Sequence, residues 1–102
     1  MDEDTKILID VLQKIYTDDE DFYEIFNILQ DYKFVKNIRT LKPGIFVRYI
    51  DLRNVTTNIS KGGFYIKSYK MTNLPSKYIM LKGINNKPFS INSDFCVFFI
   101  RD

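Results

Sequence analysis

Apolar residues recur at helical spacing along the first third of the chain. Leu8, Val11, Leu12 and Ile15 follow the i, i+3, i+4, i+7 rule, which predicts an amphipathic helix over 5–16. Asp4 or Thr5 is placed to cap its start, and Asp2, Glu3 and Asp4 suit the positive end of its dipole. Ile7, Ile9 and Tyr16 widen the stripe, so burial on more than one side is expected. The acids at 18–21 break this pattern. Thr17, Asp18 and Asp19 are N-cap types, so a second helix should begin there. Phe22, Ile25, Phe26 and Leu29 form its apolar stripe, and it should end near Tyr32. The four successive acids lack the alternating oxygens, the glycine and the distal glutamate of a calcium-binding hand, so capping is their expected job.

From Phe34 the pattern changes to short runs rich in Ile, Val, Phe and Tyr, each bounded by Gly, Pro or Asn. Five runs read as strands: 45–50, 63–69, 77–81, 88–91 and 95–100, with 34–41 as an entry strand. No helical pattern lies among them, so an antiparallel meander closing into a small barrel is expected. Pro43-Gly44 reads as a type II turn, and Gly62-Gly63 as a hairpin or bulge that needs positive φ.

Alternation assigns the faces. Phe46, Ile50 and Leu52 oppose Val47, Tyr49 and Asp51, and Arg48 falls with Phe46 and Ile50, at a rim or a twist. In 63–69, Phe64 and Ile66 share one face, and Tyr65, Lys67 and Tyr69 share the other, which is expected to meet solvent. In 95–100 both faces are apolar: Phe95, Val97 and Phe99 on one, Cys96, Phe98 and Ile100 on the other. A strand apolar on both sides is covered on both sides, and the helical stripes are the natural cover. The chain therefore reads as one α+β domain over 1–102. Its first part, 1–33, is an acidic helical segment, and 34–102 is a basic β-barrel segment of five to six strands.

Charge sharpens that division. The formal net charge is +2. Residues 1–33 hold ten acids and three bases, a net −7, while 34–102 hold twelve bases and three acids, a net +9. Such asymmetry points to a polyanionic partner or to pairing between the two segments.

Candidate chemistry is limited by what the chain lacks. It has no His and one Cys. That removes the usual general base, the commonest metal ligand and every intramolecular disulfide. No enzyme activity, metal or cofactor is expected. Asp94 reads as a turn residue, and Lys61-Gly62-Gly63 lacks the spacing and helix of a phosphate loop. Cys96, between Phe95 and Val97, reads as a small buried hydrophobe. No run reaches the length of a membrane span, and the acidic Met1–Asp4 differs from a secretory leader, so an intracellular, reducing setting is expected.

One constellation carries chemistry: bases interleaved with aromatics. Arg48, Tyr49, Arg53, Lys61, Tyr65, Lys67, Tyr69, Lys70, Lys77 and Tyr78 all fall on predicted strands or adjacent loops. Tyr-lined grooves take extended peptides, and small barrels stack bases on exposed aromatics while Lys and Arg follow phosphates. A protein partner is the first expectation. A nucleic-acid partner is the second, and a self-associating structural subunit the third. The oligomeric state is open.

The string Leu41-Lys42-Pro43-Gly44-Ile45-Phe46-Val47-Arg48-Tyr49-Ile50, then Lys61-Gly62-Gly63-Phe64, then Tyr78-Ile79-Met80-Leu81-Lys82 and Val97-Phe98-Phe99 resembles small SH3-like β-barrel proteins of large nucleocytoplasmic DNA viruses. The resemblance covers roughly 41–101. It implies an SH3-like barrel and a viral or virion-associated setting, and it carries no catalytic residue across.

Overall fold

A computed structural model describes residues 2–101. Helix α1 (Glu3–Ile15) begins two residues before the expected start, because Asp2 rather than Asp4 or Thr5 caps it. The Asp2 carboxylate accepts the Thr5 backbone N–H at 2.8 Å, and this bond holds its pKa below the ordinary carboxylate value. Helix α2 (Asp19–Leu29) follows, and Asp18 accepts from the N–H groups of Glu20 and Asp21. The acidic run 18–21 therefore supplies one cap and a first turn of three acids that matches the helix dipole. The helix ends at Leu29 rather than near Tyr32, and a turn through Gln30 and Asp31 frees Tyr32 to pack inward.

Six strands follow: β1 (Lys33–Val35), β2 (Phe46–Asp51), β3 (Gly63–Lys70), β4 (Lys77–Lys82), β5 (Pro88–Asn92) and β6 (Cys96–Arg101). The entry strand is short because Asn37 caps a 3₁₀ turn at Ile38–Thr40. Phe95, expected to open the last strand, lies instead in a 3₁₀ turn over Ser93–Phe95. The strands form one antiparallel sheet in the order β1-β6-β2-β3-β4-β5. The end strands β1 and β5 do not pair, so the sheet is open where closure was expected.

β2 and β3 are held by a short ladder. Phe46 pairs with Phe64 and Val47 with Gly63, and the Tyr65 backbone bonds Gly44 N–H and the Ile45 carbonyl. Gly62, at φ +76°, makes the approach feasible: a Cβ there would collide with the Val47 carbonyl. Gly44, at φ +92°, completes the turn after Pro43, where Ile45 N–H bonds the Lys42 carbonyl.

β6 divides the interior in two. On one side Phe99, Ile50, Leu8, Leu12, Tyr16, Ile25, Leu29 and Tyr32 form a core between sheet and helices. On the other, Phe98, Val47, Tyr65, Ile79, Leu81, Val35 and Leu41 form a second core within the curl of the strands. Phe98 and Phe99 are consecutive, so they point to opposite faces, and both are buried. The two helices therefore cover β6 on one side while the meander covers it on the other. Among the described residues, no helix is long and apolar enough to cross a membrane.

Candidate basic and aromatic face

The ten candidate residues do not converge on one surface. Three of them, Lys67, Tyr69 and Tyr78, share the outer face of the β3–β4 hairpin. Tyr69 pairs with Tyr78, and their rings stack at 5.7 Å with planes 22° apart. The Tyr69 hydroxyl donates to Ser90 Oγ on β5 at 2.8 Å, and the Lys67 ammonium sits 6.0 Å from the Tyr69 ring centre. Lys70 and Lys77 stand directly opposite each other one residue further toward the hairpin loop, and alternation turns them to the other face.

The other five are turned inward, engaged or in neighbouring segments. Tyr65, expected on the solvent face with Lys67 and Tyr69, is buried at 8% exposure in the second core. The reason is a β-bulge between Tyr65 and Lys67. It adds one residue to β3 and inverts the alternation beyond it. Tyr65 faces inward opposite Leu81, and Ser68 faces inward opposite Ile79. Their hydroxyls meet at 2.7 Å. Tyr49 likewise packs against the second core, beside Phe98. Lys61 is exposed in the loop before β3.

Arg53 is exposed but already engaged. Its Nε and Nη2 donate to the two Asp51 carboxylate oxygens at 3.1 and 2.9 Å, and its guanidinium lies 4.4 Å from the Phe95 ring centre. The Arg53 side-chain and backbone bonds hold the Asp51 carboxyl below its ordinary value. Arg48 lies on the helix-facing side of β2, where its guanidinium is 5.7 Å from the Tyr32 ring centre. Two residues outside the sequence-derived set make cation–π contacts: Phe95 with Arg53, and Arg101 with Tyr32. Alternation from Phe99 places Arg101 on that strand's helix-facing side, a signal present in the sequence.

Catalytic groupings are no better supported by the geometry. A cavity of about 260 Å³ between the end of β2 and the 54–60 loop is lined by Tyr49, Asp51, Asn54, Thr56 and Asn58, among others. Asp51, its one carboxylate, is committed to Arg53. Among the described residues, no group of three or more Cys, Asp or Glu side chains is placed to hold a metal ion.

No family model, curated protein or solved structure matches this chain. The hairpin face thus rests on its own geometry. Between Asp51 and Asp94 the sequence has no Asp or Glu and seven Lys or Arg. β3, β4 and β5 all fall inside that stretch.

Proposed function

We propose that the chain is a non-enzymatic protein-interaction module that takes an acidic, extended segment of a protein partner on the β3–β4–β5 face. The observation that carries this is Lys67 beside the stacked Tyr69 and Tyr78 on the outer face of the hairpin. Alternation places Lys82 on the same face as Tyr78, and no carboxylate between Asp51 and Asp94 offsets Lys67 and Lys82. An acidic segment would. Tyr supplies a rigid amphipathic contact of low entropic cost, as recognition surfaces favour.

A peptide fits this face better than a nucleobase does. The Tyr69 ring is already covered by Tyr78 and approached by Lys67, and its hydroxyl is bonded to Ser90. Base stacking needs open ring faces. The proposal extends to an SH3-like strand arrangement, left open between β1 and β5, in a viral or virion-associated, intracellular setting. Support for the architecture comes from the β2–β5 meander, the 3₁₀ turn at Ser93–Phe95 and the return of β6 to β2.

Fluorescence anisotropy with labelled Asp- and Glu-rich peptides, and with a single-stranded DNA oligomer in a parallel arm, tests this. Saturable peptide binding that weakens about tenfold or more in the Tyr69→Ala, Tyr78→Ala double variant is expected. Absence of peptide binding, or tighter binding of the DNA, would overturn it.

A further inference from the structure

On the opposite side of the molecule, two arginines share one aromatic ring. Arg48 pairs with Phe99, and Arg101 pairs with Phe46. Arg48 and Arg101 are therefore diagonal neighbours on one face of the β2–β6 ladder, within reach of each other's long side chains. Both guanidinium groups lie over Tyr32, at 5.7 and 5.3 Å from its centre, and Arg101 also lies 5.6 Å from the Phe46 ring. Tyr32 itself is buried at the junction of α2 and β1.

This cluster is electrically incomplete. Two fixed positive charges stand together, and among the described residues neither forms an ion pair. Asp31, next to Tyr32 in the chain, is exposed and does not pair with them. The Arg48 Nε is buried and has no hydrogen-bond partner. A buried donor on a charged group is costly to leave unmade, and each such group in a folded protein calls for an explanation. Arg101 is exposed, so the cluster is open to solvent on its side.

We propose that Arg48 and Arg101 form a binding site for a phosphate dianion at the edge of the helix–sheet interface. A dianion balances both charges, and its tetrahedral oxygens can accept from both guanidinium groups. A planar carboxylate is matched by a single fork. The Tyr32 ring is buried and covered by both arginines, so it offers no face to a nucleobase. The group read here is the phosphate itself, either free or carried on a side chain.

The test is a titration of the full chain, with arginine side chains labelled with ¹⁵N, against inorganic phosphate at constant ionic strength. O-phosphoserine forms a second arm. Saturable shifts of the Arg48 and Arg101 Nε–H resonances are expected. Arg101→Gln, at an exposed position, should weaken binding about tenfold. Lys67→Ala, on the hairpin face, should leave it unchanged. Tighter binding of O-phosphoserine than of phosphate would support the site and mark a phosphorylated side chain as its ligand. Equal or weaker binding would support it with free phosphate as the ligand. Arginine resonances that stay fixed up to about 50 mM phosphate, or affinity lost in Lys67→Ala but kept in Arg101→Gln, would overturn the site.

Discussion

The Tyr16 hydroxyl donates a 2.8 Å hydrogen bond to the Thr56 carbonyl, 40 residues away in the chain. Tyr16 ends α1, with its backbone N–H on the Leu12 carbonyl, and Thr56 lies in the long connection from β2 to β3. One phenol therefore ties the helices to a segment with no ladder of its own. Tyr16→Phe keeps the ring and removes the tie. It should cost about 1 kcal/mol in urea unfolding. Hydrogen exchange should quicken selectively in 52–60.

Gly62 and Gly44 both have positive φ, but only Gly62 is crowded. Gly62→Ala should therefore cost more than the ~1–3 kcal/mol of a strained backbone alone, because the Val47 carbonyl must also move. Gly44→Ala, with open space around it, should cost about 1 kcal/mol. Paired denaturation curves test the ranking. Equal losses would place no weight on the β2–β3 approach.

Tyr65 and Tyr69 should behave as different kinds of residue. Tyr65→Ala opens a cavity beside Leu81 and Ile79 and should cost about 3–5 kcal/mol. Tyr69→Ala should change stability by about 1 kcal/mol or less, since it loses one exposed bond and one stacked ring. Thermal melts of the two single variants decide this.

The helices, five of the six strands and the two-sided burial of β6 were legible in the sequence. Each rests on periodicity over several residues, as with Leu8, Leu12 and Ile15 or Phe98 and Phe99. The faces failed where one residue carried the signal. No residue type announces the bulge at Ile66, and an unbulged reading puts Tyr65 outside. The approach of Arg48 to Arg101 depends on the β2–β6 register, which pairs residues 45 to 55 positions apart. Alternation within one strand cannot supply that. Lys67, Tyr69 and Tyr78 were legible as candidates because 63–82 is local.

Cys96 should be a slow thiol. Burial, with a smaller push from the Asp51 charge, raises its pKa to about 11 from 9.0. At pH 8 only about one thiol in a thousand is ionised, so alkylation should be far slower than that of a free cysteine. The sign of the stability effect follows. The folded pKa lies above the unfolded one, so this contribution is intact below pH 9.0 and is lost as the pH rises toward 11. Alkylation rates across pH 7–11, beside melts at pH 8 and 10.5, check both statements. Cys96→Ser should flatten the alkaline loss.

β6 is the innermost strand of the helix-covered part of the sheet, and both of its ladder partners, β1 and β2, precede it in the chain. Neither core is complete without it. As the polypeptide leaves the ribosome, the apolar stripes of α1 and α2 and the inward faces of β2–β5 must all wait, uncovered, for residues 96–101. Folding on the ribosome is thus delayed until almost the whole described chain has emerged, and a chain stopped short of Cys96 presents two greasy surfaces at once.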